Sequence, residues 1–217
     1  MKTPYSPSVL KPKLKVGYYH HDHWRDINGS AIPFRENLTI PHVCIYGKGG
    51  SGSWNTTDVI YATTCHEVAH VSHWEMIGEG TFALIWLNPK TRIIPESWAV
   101  AVGWMFTNNE YRKLLNIYNL QSFKEYNYRD GYQKWDKWSD NYYTPLFIDL
   151  IDEYNQKQKI GGDRPNDRIS GYSISMLESI LFGVRDFTLL RSLLKQNKPQ
   201  NVTNDDIDSL IEFYSNL

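Results

Sequence analysis

The spacing of apolar and polar residues changes several times along this chain, and each change marks an element. Residues 37–46 (NLTIPHVCIY) are rich in β-branched and aromatic side chains and read as one strand or two short ones. Pro41 pushes such a strand towards a sheet edge, because proline cannot donate to a ladder. A glycine-rich loop follows at 47–53; it lacks the G-K-[ST] ending of a phosphate cradle. From Thr57 the pattern turns helical. Thr57 reads as an N-cap, Asp58 sits in the first turn and Gly78 is a natural stop, so 58–77 makes about five turns. Residues 82–87 read as a strand. Pro95 stands where a helix accepts its first proline, and 96–106 continues as helix. Further helical patterns run over 110–120, 144–158, 173–182, 187–195 and 205–215, with a loop at 161–166. Prolines at 4, 7 and 12 make 1–15 an extended arm. The pattern predicts an α+β fold: a small N-terminal β-sheet, then a mostly helical C-terminal part.

Composition narrows the class of molecule. A chain of 217 residues fits one domain, which we divide into the arm, a β region with helices over 16–106, and a helical subdomain over 107–217. With 41% hydrophobic and 22% charged residues it can build a core and is not a disordered chain. The formal charge of −1, with both signs interspersed, offers no basic face, so nucleic acid is not an expected partner. No apolar run is long enough to cross a membrane. Cys44 and Cys65 form no CxxC pattern and read as buried thiols. Aromatic residues reach 14%, which reads first as core and surface packing and only second as an aromatic-lined cleft.

The chemistry is concentrated in His66-Glu67-Val68-Ala69-His70, an HExxH motif inside the helix at 58–77. Residues four apart on a helix share a face, so both imidazoles can reach one zinc ion. Glu67, one step round, reaches a water on the metal without being a ligand. Shuffled chains of this composition produce HExxH on the order of once per hundred, and the match here is better than that because the motif falls inside a capped helix. Catalytic zinc takes three protein ligands and a water. His73 shares the face but lies about 10 Å along the axis from His66, too far for the same ion. The longer HExxHxxGxxH pattern fails, with His at 73 and Met at 76. Glu96, in Ile94-Pro95-Glu96-Ser97-Trp98-Ala99, is the preferred third ligand, from the expected first turn of the next good helix. Glu75, Glu79 and Glu110 are the alternatives.

HEVAH on one helix, with ESWA on a later one, resembles the gluzincin division of zinc peptidases. More narrowly, residues 62–74 (ATTCHEVAHVSHW), the Glu96 segment and Gly171-Tyr172-Ser173 resemble a group of bacterial secreted or surface-anchored metallopeptidases that is itself uncharacterised. The resemblance implies a zincin-like fold with an active-site helix and one zinc ion on His66, His70 and Glu96. It also implies peptide or protein substrates, and a location outside the cytoplasm (periplasmic, surface-anchored or secreted) with the signal lying outside this sequence. It further implies an edge strand above the active helix that pairs with the substrate, for which residues 37–46 are our expectation. One departure stands out: the best-known gluzincins carry an Asp four residues after the ligand Glu to orient a histidine, and here that residue is Val100.

The expected mechanism is hydrolysis by a zinc-activated water, with Glu67 as general base and then acid. His73, Tyr111 and Tyr142 are the candidates to steady the oxyanion or support the ligands. His20-His21-Asp22-His23 could bind a second metal, but reads better as a solvated loop with adventitious affinity. Two other readings compete. One is a zincin-fold binding or scaffold module on a bacterial cell surface that cuts nothing; the other is an intracellular housekeeping hydrolase.

Overall fold

A computed structural model describes residue 14 and residues 16–20, 29–31, 43–49, 52–114 and 142–216. The arm at 1–15 (apart from residue 14), His21, Asp22, His23, Pro41 and the predicted helix beyond residue 114 lie outside the described residues. The architecture is α+β. Three short strands, β1 (Val16–Tyr19), β2 (Gly29–Ala31) and β3 (Val43–Tyr46), form a sheet of order β1-β3-β2. β1 runs parallel to β3, and β2 antiparallel, with Gly29 opposite Ile45 and Ala31 opposite Val43.

The strand predicted at a sheet edge is therefore central. Val43–Tyr46 is buried along its length and paired on both sides, so its backbone has no free side to offer a peptide. The composition indicated a strand here, but which neighbours a strand acquires is decided by non-local pairing.

Helix α1 (Thr57–Ile77) carries HEVAH and ends at Gly78, whose φ of 87° suits glycine and whose N–H donates to Trp74 O at 2.7 Å. The chain turns there directly into α2 (Glu79–Leu87). Residues 82–87 are thus helix, not strand. Phe82 and Ile85, three apart, face inward while Leu84 and Leu87 face out, and a short apolar run does not distinguish the two periodicities.

α3 spans Pro89–Leu114, so residues 106 and 107, where the sequence suggested a subdomain division, are neighbours within one helix. Pro89, not Pro95, occupies the helix start; Pro95 lies inside, where it leaves the Thr91 carbonyl without its usual donor. Every residue from 93 to 104 is buried, because α3 is enclosed by α1 on one side and the C-terminal helices on the other.

The predicted helix at 144–158 is two pieces, α4 (Leu146–Ile151) and α5 (Gln156–Lys159). Asp152 breaks it by accepting from Tyr154 N–H, while the returning chain satisfies the last carbonyls, Gly171 N–H to Ile151 O and Tyr172 N–H to Leu150 O. α6 (Ile174–Leu181), α7 (Phe187–Gln196) and α8 (Asn204–Ser215) match their predicted spans closely. Ser173, Asp186 and Thr203 cap them through their side chains, and Thr203 with Asp206 completes a capping box. No helix of the described residues is long and apolar enough to cross a membrane.

Candidate metal centre

Two close approaches build the site. Gly103 of α3 faces α1 so tightly that a Cβ there would lie 2.9 Å from the Ala62 carbonyl oxygen and 3.6 Å from His66 Cβ. Since 103 meets 62 while 96 meets 66 and 70, the helices run antiparallel. Glu96, two turns from Gly103 on the same face, is thereby carried to the histidines. On the other side, β2 lies against α1. A Cβ at Gly29 would meet Thr63 Cγ2 at 2.5 Å and Glu67 Cγ at 3.3 Å. Glycine at 29 and 103 lets the sheet edge and α3 both close on the helix that bears the motif.

The result is a triangle of donor atoms. His66 Nε2 and His70 Nε2 are 3.1 Å apart, and Glu96 Oε2 is 3.6 Å from the first and 3.3 Å from the second. A tetrahedral zinc with ligand bonds near 2.0–2.1 Å has ligand–ligand edges of about 3.3–3.4 Å. The three sides bracket that value. Glu96 Oε2 is buried and accepts no hydrogen bond, an orphaned carboxylate oxygen aimed at two imidazole nitrogens. Burial pushes the Glu96 carboxyl up, but the close approach of the His66 and His70 imidazoles, and their charges, outweigh it and bring it down to about 2. Two histidines and one glutamate thus form a donor set that could hold a metal ion. Among the described residues it is the group of three or more His, Cys, Asp or Glu that could hold an ion; Glu75, Glu79 and Glu110 are not part of it.

Comparison with family models, curated proteins and solved structures finds no match for this chain.

The remaining predicted residues fare differently. Glu67 is buried on α1 beside β2 and next to the cluster. His73 is not at the metal position: it is 1% exposed, its ring meets Phe82 at 5.4 Å, and both its nitrogens lack hydrogen-bond partners. Burial, then the charges of His70 and Arg185, push it down to about 3, so it is a neutral packing residue. Tyr111 is also remote; it lies about 22 Å along α3 from Glu96 and packs on Tyr61. Tyr142 stacks on the Arg92 guanidinium at 4.9 Å instead of facing the histidines. Cys44 and Cys65 are free thiols; burial carries Cys65 up to about 11 against a hydrogen bond with Tyr61. His20 rests on Trp54, and its neighbours in the cluster at 20–23 lie outside the described residues.

Sequence reasoning missed Tyr143 and Arg92. Tyr143 meets the His66 ring at 5.5 Å. It is placed by a clip between α3 and the start of α4. Ser97 and Thr144 share a 2.7 Å hydroxyl hydrogen bond, Thr144 N–H donates to Ser97 Oγ, and Leu146 N–H to Thr144 Oγ1. Ser97 follows Glu96, so the clip anchors residues 142–144 beside Glu96. Tyr142 has a φ of 72°, a left-handed conformation rare for a bulky residue, and this turn separates its ring from that of Tyr143. Arg92, four residues before Glu96 on α3, brings Nε to 3.5 Å from Glu96 Oε1 and lies 4.5 Å over the Trp86 ring. Its partner position was readable as an i, i+4 ion pair; its stacking was not.

Proposed function

We propose that this protein is a zinc-dependent peptidase with a zincin-like active site. The observation that carries the reading is the donor triangle, with sides of 3.1, 3.3 and 3.6 Å, formed by two histidines of the helix that also supplies the HExxH glutamate and by an orphaned buried carboxylate oxygen of α3. His66, His70 and Glu96 hold the ion, which when bound supplies Lewis acidity and an acidified water. Glu67 takes the proton of the attacking water and returns it to the departing amine. Tyr143, beside His66, donates to the oxyanion as the carbonyl becomes tetrahedral. β2, an outer strand of the sheet among the described residues and packed on α1, takes over from residues 37–46 as the strand that aligns an extended substrate.

Two observations favour a second reading, a zincin-fold binding module that cuts nothing. His70 Nδ1 is buried with no acceptor, and Val100 stands where an orienting Asp is expected. Elemental analysis of protein purified without a histidine tag separates the possibilities in two steps. The peptidase reading expects about one zinc per chain in the wild type, lost in His66→Ala and in Glu96→Ala. It also expects that Glu67→Gln keeps zinc and loses peptide cleavage. Zinc present with no cleavage of any peptide pool by the wild type selects the binding module. No zinc after reconstitution removes the metal centre altogether.

A further inference from the structure

The Arg92 side chain is held more firmly than a surface arginine needs to be. Its guanidinium carbon lies 4.5 Å over the Trp86 ring and 4.9 Å over the Tyr142 ring, and its Nε is buried against Glu96 Oε1. Each ring gains a cation–π contact, and the planar group loses rotational freedom. Three segments, α2, α3 and the residues before α4, therefore converge on one guanidinium. A guanidinium stacked on rings and with its Nε buried has its two Nη groups left to offer. The side chain is 34% exposed, and no acceptor for the Nη atoms stands among the described residues.

Holding Glu96 does not account for this arrangement. An arginine that serves a carboxylate through its fork does so at about 2.7–2.9 Å with two parallel bonds. The Arg92–Glu96 contact is a single one at 3.5 Å, so the bidentate edge is not spent on Glu96. The same Glu96 presents its other oxygen to the histidines. The free edge is thus separated from the metal position by little more than one carboxylate and one ion-pair contact. That separation matches one or two residues of extended peptide, at about 3.3–3.6 Å each.

We propose that Arg92 is a receptor for a substrate carboxylate, and that the enzyme selects peptides carrying a negative charge within one or two residues of the scissile bond. The word substrate rests on the peptidase reading above; the receptor itself rests on the geometry of Arg92. The carboxylate belongs either to the chain terminus or to an acidic side chain, and both present the same planar pair of oxygens to the fork.

Calorimetric binding of N-acetylated tripeptides tests this on zinc-loaded and zinc-free wild type, Arg92→Lys and Arg92→Met. The probes are a free acid, its C-terminal amide, and two amides that differ only by Asp or Asn at the last position. Wild type is expected to bind one carboxylate form about 10- to 100-fold more tightly than its neutral twin. The form preferred identifies a terminal or a side-chain carboxylate. The preference falls to near one in Arg92→Met and survives in part in Arg92→Lys, which keeps the charge and loses the fork. Metal content is measured for each variant, and if Arg92→Met loses zinc the comparison among zinc-free forms decides. Equal binding of acid and neutral forms by wild type, or a preference that persists in Arg92→Met, overturns the proposal. An Arg92-dependent preference in a protein with neither zinc nor cleavage refutes the peptidase reading and leaves the receptor standing.

Discussion

Gly103 offers a test of how the site is assembled. A Cβ at this position would lie 2.9 Å from the Ala62 carbonyl oxygen, where carbon–oxygen contacts ordinarily settle at about 3.3–3.6 Å. Backbone cannot rotate away as a side chain can, so α1 and α3 must part by about half an ångström. The two triangle sides that bridge the helices, 3.6 Å and 3.3 Å, then lengthen, while the 3.1 Å side within α1 does not. Metal sites tolerate about 0.5 Å of displacement before function suffers, so the perturbation lies at that limit.

Stability and metal binding should respond differently. Gly103→Ala gains about 1 kcal/mol of helix propensity and loses about 1–3 kcal/mol to overpacking, which leaves a small net destabilisation. Zinc affinity has no such compensation, and we expect it to fall about 10-fold or more, as when groups that orient metal ligands are removed. Gly103→Val should do worse on both counts. Gly80→Ala is the control, since its Cβ meets nothing within 4 Å; it should be neutral or stabilising and leave zinc alone. Competition against a chromophoric chelator reads the affinity, and thermal unfolding of the zinc-free protein reads the fold. Zinc bound by Gly103→Val as tightly as by wild type would refute the claim that this helix contact sets the ligand triangle.

Two further predictions concern other parts of the molecule. Tyr143→Phe should lower kcat by about 10²-fold with zinc retained, whereas Tyr111→Phe, which alters a ring packed on Tyr61, should change it little; equal effects would remove Tyr143 from its role. Asp167 is buried among carboxylates; desolvation, then the charge of Asp149, against a backbone hydrogen bond from Ile169 N–H, raise it to about 10. Its proton therefore stays in the folded protein while the unfolded chain releases it near pH 4, so stability declines from about pH 4 towards pH 10 and is flat beyond. Asp167→Asn keeps the acceptor for Ile169 and removes the dependence. The melting temperature of the variant should match wild type near pH 4 and exceed it by a margin that widens to pH 8; a constant margin would contradict the assignment.

How far the site could be read from sequence follows from the range of each interaction. His66 and His70 were legible because helix periodicity alone puts them on one face, and the 3.1 Å separation of their Nε2 atoms needs nothing beyond α1. Glu96 was legible for a partly mistaken reason. It was expected in the first turn of a helix opened by Pro95, and it lies instead two turns into α3 with Pro95 buried beside it. What brings it to the histidines is the contact at Gly103, a residue whose meaning depends on a backbone oxygen forty-one positions away. Tyr142 and Tyr143 show the same limit at single-residue scale. Both are tyrosines in one loop, and local composition ranks neither above the other. The Ser97–Thr144 hydroxyl pair and the positive φ at Tyr142 decide that one ring faces His66 and the other Arg92. The strands failed for a related reason. The strand at Val43–Tyr46 was readable from its β-branched and aromatic residues, but its burial and central position depend on β1 and β2, which pair with it across long stretches of chain. Helix-borne chemistry is thus written locally, and everything that closes on it from another element is written in contacts that no sequence window contains.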